Sequence, residues 1–225
     1  EQVLPVISKH TGQFRNIIQS TSQMVRKING PRDALEFLIL CFESCPARFD
    51  DTYESPWHHQ GYYLANWFKE AASDPGTKAL EPRLLAVVLK EVRRDLETRQ
   101  QRSRYLYHHN YGIRFWSEKT ADFARVAEEV YNEHRDSERF VKHIADYHYH
   151  GLRHYDRAIE ILLIAHRAGH LSPHPQQHQL VYYLHLQNRF AESIPILEEL
   201  VDATPVDMSI RVLLIKAYSQ TKRTQ

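Results

Sequence analysis

Apolar residues recur along the chain at alternating three- and four-residue steps, and that period lays out the elements. Between Thr11 and Asn29 the stripe is Phe14, Ile17, Ile18, Met24, Val25 and Ile28, the spacing of one face of an α-helix. Asn29-Gly30 supplies a helix stop, and Pro31 suits the first position of the next helix. That helix carries Ala34, Leu35, Leu38, Ile39 and Phe42 and closes before Pro46. So short a connection folds the two helices into an antiparallel hairpin. After the turn-forming Asp50, Asp51, Ser55 and Pro56, a third helix is predicted around Trp57, Gly61, Leu64, Ala65 and Phe68, broken at Asp74-Pro75-Gly76. A fourth starts near Pro82, with Leu85, Val88, Leu89, Val92 and Leu96 on one face.

From Thr98 to Ser117 the stripe weakens, as Arg99, Arg102 and Arg104 run into Tyr105, Tyr107, His108, His109, Tyr111, Phe115 and Trp116; this segment is read as helical. The period then returns in Phe123, Val126, Ala127 and Val130, in Phe140, Ile144 and Tyr147, and in Tyr155, Ala158, Ile159, Leu162 and Ala165. Leu180, Val181 and Leu184, then Phe190, Ile194, Leu197 and Val201, then Ile210, Leu213, Leu214, Ala217 and Tyr218 mark three more helices. No stretch alternates with the period of two that a half-buried strand requires. The expected fold class is all-α.

Composition narrows the functional classes. With 225 residues, 42% hydrophobic and 25% charged, the chain can bury a sizeable core. Seven glycines are too few for the turns of a β-sandwich and supply no phosphate-cradling loop. Twenty-nine Lys plus Arg against 28 Asp plus Glu, net +1, give no global attraction to nucleic acid or an anionic membrane. Cys41 and Cys45, four apart on an apolar helix, read as small core residues, because a closed zinc site needs four ligands. The low cysteine count suits a reducing compartment, and the sequence shows no signal-peptide pattern, transmembrane-length apolar run or Asn-x-Ser/Thr sequon. A cytoplasmic protein without a membrane partner is expected.

Helix pairs of this length cannot bury their apolar faces alone, so a repeat is expected. His154-Tyr155-Asp156-Arg157-Ala158-Ile159 aligns with Arg189-Phe190-Ala191-Glu192-Ser193-Ile194 at an offset of 35 residues, Tyr155 to Phe190. Asp122-Phe123 aligns with His154-Tyr155 at 32, Phe123 to Tyr155. These spacings bracket the ~34-residue tetratricopeptide repeat, and the chain resembles that family. Tyr155, Ala158 and Ala165 match one unit, and Phe190, Ser193 and Pro205 the next. Trp57, Gly61 and Leu64 match the opening of a first helix, with Gln60 where Leu is usual and Leu64 where Tyr is; Ala34 and Pro46 have the separation of a second helix. The match is good from about Phe140 onward, partial over 31–72 and poor over 73–120. It implies a single right-handed α-solenoid over 1–225, with divergent hairpins in 1–120 and tetratricopeptide-like repeats in 121–225 that stop mid-repeat. Gly151 lengthens the turn before Tyr155, and Pro195 falls inside a helix.

The resemblance also implies a concave groove lined by first helices, holding a peptide. Carried over residue by residue, it places His143, Tyr147 and His150 there in one unit and His178, Tyr182 and His185 in the next, with His58 and Tyr62 on the Trp57 helix. On the residues alone, the three positions at i, i+4 and i+7 share a helical face that flanks the apolar stripe; half-buried packing spacers would give the same pattern. His143, Asp146 and His150 form a two-His-one-carboxylate set, though one helix rarely supplies all three ligands. The series His166, His170, His174, His178 is interrupted by Gly169, Pro173 and Pro175. Arg93, Arg94, Arg99, Arg102 and Arg104 with Tyr105 and Tyr107 have the basic-aromatic character of a single-strand binder, but Glu91, Asp95 and Glu97 interleave as in a solvated, ion-paired helix. No catalytic or cofactor motif is present, so neither cofactor nor metal is expected. The leading expectation is a non-enzymatic scaffold or adaptor for a protein or peptide, followed by a helical-repeat RNA binder and then a metal-dependent enzyme.

Overall fold

The structure is a computed structural model that describes residues 11–43, 75–97, 119–172 and 175–223. The described residues are all-helical, with no strand among them. The helices are α1 (Thr11–Asn29), α2 (Pro31–Glu43), α3 (Glu81–Glu97), α4 (Thr120–His134), α5 (Glu138–Asp146), α6 (Tyr155–Arg167), α7 (Pro175–Leu186), α8 (Phe190–Ala203) and α9 (Met208–Arg223). A 3-10 turn, Lys78–Leu80, precedes α3, and a π-helix, Tyr147–Leu152, extends α5. None of these helices is long and apolar enough to cross a membrane. His58, Tyr62, Cys45, the Trp57 helix and the stretch from Thr98 to Ser117 lie outside the described residues.

The chain forms two compact units, one within Glu1–Val130 together with His150–Leu152, the other within Tyr131–Tyr149 and Arg153–Gln225. In the first, α1 and α2 form the hairpin that the sequence predicts. Gly30 joins them at φ +97°, a conformation that costs glycine little, and its N–H closes α1 on the Arg26 carbonyl at 3.1 Å. Helix α2 buries Ala34, Leu35, Leu38, Ile39 and Cys41. Helix α3 buries Leu84, Val87, Val88, Val92 and Leu96, while Leu85 and Leu89 are half-exposed, so its stripe is turned slightly from the expected one. The Arg83 guanidinium crosses to both oxygens of Glu43, at 2.7 and 3.2 Å, and to Glu36 at 3.4 Å. Arg93 pairs with Glu97 four residues on, at 2.8 Å, and with Glu129 at 3.5 Å; at these positions α3 is the ion-paired helix rather than a free basic strip.

In the second unit consecutive helices pack against each other: α5 on α6, α6 on α7, α7 on α8 and α8 on α9. The second members of the two pairs match at the expected offset of 35. Ala158 and Ser193, Ile161 and Ile196, Leu162 and Leu197, and Ala165 and Leu200 are all buried. The residues before the two helices match as well, since Arg153 and Asn188 both take φ 58°. Pro195 sits in the second turn of α8 on its exposed side, where water can reach the carbonyl that proline leaves without a donor.

The first members do not match at 35. Ile144, Ala145, Tyr147 and His148 are buried, and so are Leu180, Val181, Tyr183 and Leu184, which is an offset of 36. The earlier pair therefore holds one residue more between its two helices. That residue does not lengthen the turn, as Gly151 suggested, but widens the helix into the π form, which accommodates an extra residue per turn. The closing hydrogen bonds record the same difference. Arg189 N–H reaches back five residues to the Leu184 carbonyl at 2.8 Å, whereas His154 N–H reaches back six, to His148, at 2.9 Å.

Candidate functional site

The one-residue difference decides where the predicted groove residues fall. Tyr147 is 1% exposed and Tyr182 is 55% exposed. They are not equivalent and do not line one surface, which corrects the expectation for Tyr147: the buried partner of Tyr147 in the next pair is Tyr183. His143 and His150 are half-exposed, and His150 falls in the π-helix. His178 lies on α7, but its side chain is outside the described ones. His185 is half-buried and its Nε2 lies 3.0 Å from Ser193 Oγ. The Ser193 hydroxyl donates to the Phe190 carbonyl at 2.8 Å, so the imidazole N–H donates to Ser193 and does not act as a base toward it. Burial first, and then the nearby Lys216 ammonium, hold the His185 pKa below the ordinary histidine value. The contact is a neutral tie between α7 and α8 rather than a nucleophile and its base.

Next to the misplaced ladder, the first helices do meet, through Tyr149 and Tyr183, which the sequence reading passed over. The Tyr149 ring stacks on Tyr183 with centroids 3.8 Å apart and planes at 8°, and Tyr155 meets Tyr149 edge-on at 4.8 Å. The Tyr183 hydroxyl and the Gln179 amide both donate to the Asp146 carboxylate, and the same amide lies 3.1 Å from the Tyr183 oxygen. Gln187 donates to the Tyr149 hydroxyl at 3.1 Å. Burial and the adjacent carboxylate both favour the neutral phenol, so the Tyr183 pKa is pushed well above that of a free tyrosine, and burial raises Tyr149 in the same sense. Neither phenol ionises near neutral pH, and both serve as hydrogen-bonding walls.

The arrangement has a floor and a rim. Tyr149 and Tyr183 form the buried floor, while Asp146, Gln179 and Gln187 are half-exposed and Tyr182 and Tyr155 reach solvent. Such a surface can offer amide donors and acceptors to an extended backbone and aromatic faces to apolar side chains. Asp146 engages Tyr183 and Gln179, so the two-His-one-carboxylate set does not describe its use here. His166 pairs with Glu199 at 3.4 Å and His170 lies 3.9 Å from Asp136, so the two histidines of that series whose side chains are described have separate partners. The sequence did carry a signal for the floor and rim, in the four-residue steps of Gln179, Tyr183 and Gln187 and the three-residue step of Asp146 and Tyr149.

No protein-family model, curated protein or solved structure matches the chain, so the functional reading stands on these residues.

Proposed function

We propose that this chain is a non-enzymatic scaffold, built as a tetratricopeptide-like α-solenoid of antiparallel pairs, that holds an extended peptide on the first-helix side of its second unit. The observation that carries the reading is the joined floor of Tyr149 and Tyr183 on adjacent first helices, with Asp146, Gln179, Gln187 and Tyr182 around it. The repeat in α6 and α8 supports the architecture, since buried small and aliphatic residues recur there at 35 positions.

The RNA reading is weaker on the same surface. The Asp146 carboxylate sits in the patch, and an anion there repels phosphate, whose neutralisation by Lys and Arg supplies most of the affinity in nucleic-acid binders. The carboxylate also disfavours a free acidic carboxyl terminus, so the ligand is an internal peptide segment with neutral or basic side chains.

Panning the full chain against a displayed library of random peptides tests the proposal. Selected peptides should bind in a way that Tyr182→Ala weakens by about tenfold or more, as a hot-spot aromatic does. Binding of single-stranded RNA with a steep salt dependence, competing with those peptides, would favour the second reading.

A further inference from the structure

Among the described residues, α9 exposes a run of apolar side chains outside the candidate site. Its inner side buries Ile210 and Ala217. At 100° per residue, Met208, Val212 and Ile215 project from the opposite side, where they are 69%, 59% and 67% exposed. Arg211, Lys216 and Lys222, all exposed, flank that stripe on both edges. The helix carries Arg211, Lys216, Lys222 and Arg223 and no Asp or Glu.

The inner side of α9 already shows what kind of helix suits it. Helix α8 presents Ile196, Leu197 and Leu200 as a buried stripe, carries Glu192, Glu198, Glu199 and Asp202, and has no Lys, Arg or His. The two helices pack against each other, and the Tyr218 hydroxyl of α9 donates to Glu198 of α8. A helix with acidic and no basic residues thus packs on one side of α9, and the other side has an apolar stripe with basic residues at its edges and no helix among the described residues to cover it. A second copy of α9 would bring like charges together, which disfavours self-pairing through this face.

We propose that the outer face of α9, centred on Met208, Val212 and Ile215, docks an acidic amphipathic helix of a partner protein. The apolar stripe supplies the contact and the basic edges select the charge of the partner, as in other helix-in-groove interactions. This surface is independent of the Tyr149–Tyr183 patch.

The test is a displayed library of helical peptides about four turns long, with a fixed leucine stripe at i, i+4 and i+7 and with Glu or Lys allowed at every flanking position, panned against the full chain. Selected peptides should carry Glu at the flanks. Ile215→Glu should weaken them by about tenfold or more, and Val212→Ser should act in the same direction. Both substitutions are on the exposed side, so far-UV circular dichroism should be unchanged. Lys216→Gln with Lys222→Gln should abolish the preference for Glu over Lys, and Tyr182→Ala should leave binding intact, which separates this surface from the peptide patch. The proposal is overturned if no peptide is enriched, if Glu and Lys are selected equally, or if binding is indifferent to Ile215→Glu. It is also overturned if sedimentation shows a dimer that Ile215→Glu dissociates, or if phosphatidylserine vesicles bind the chain through Ile215.

Discussion

Tyr147 is 1% exposed and Tyr182 is 55% exposed, so truncating each to Ala should have opposite consequences. Tyr147→Ala empties an aromatic volume from the core and should cost about 3–5 kcal/mol in urea unfolding, whereas Tyr182→Ala should stay within about 0.5 kcal/mol and change only binding. Leu197→Ala should cost about 2–5 kcal/mol, since Leu197 is fully buried between α8 and its neighbours. His185 gives a pH signature. Its folded-state pKa lies below the ordinary value of 6.5, so the unfolded chain takes up the proton first and stability falls as pH drops below about 6.5. His185→Gln should flatten the change in unfolding midpoint between about pH 7 and pH 5, and an unchanged slope would show that the imidazole is not held neutral. Leu162 and Leu197 could be read as core from the sequence because each sits in the middle of a three-and-four stripe. Tyr147 reads two ways: the stripe of Phe140, Ile144 and Tyr147 puts it in the core and the resemblance puts it in the groove, and its burial agrees with the stripe; a Tyr is compatible with either a buried or a solvated ring.

The π-helix explains why the helices were legible and the register between them was not. Periodicity locates α5 and α7 separately, but it does not report whether the helix keeps 3.6 residues per turn up to its end. A single extra residue turns every later side chain by about 100° relative to the matching pair, enough to exchange Tyr182 for Tyr183 as the counterpart of Tyr147. Gly151 was the visible trace, and Gly is as compatible with a longer turn as with a widened helix; the offset of 36 between the first members is seen only in which side chains are buried. If one residue is surplus, deleting Gly151 should let Tyr147–Leu152 close as an α-helix, and the variant should retain cooperative thermal unfolding. Deleting Leu186, near the end of the pair with no surplus residue, should instead rotate Tyr183 or break the Arg189–Leu184 closure and abolish cooperativity. Equal tolerance of both deletions would remove the insertion account.

In the second unit every helix from α5 to α9 packs on the next in sequence, and at the scale of the whole molecule this ordering has an energetic consequence. Where contacts are between neighbours, a defect weakens the adjacent layers first and its effect decays along the stack; in a globular core with many long-range contacts it would lower protection throughout. Leu197→Ala distinguishes the two. By hydrogen exchange read out on peptic fragments, protection should fall most in α8, then in α7 and α9, and should change little in α2 and α3 of the first unit. The all-α class followed directly from the period of the sequence, whereas this near-neighbour coupling is a property of how helices stack, which no single stripe encodes. A uniform loss of protection from α2 to α9 would mean that the chain unfolds as one cooperative body, and the solenoid reading would fall even though every helix remained where the sequence put it.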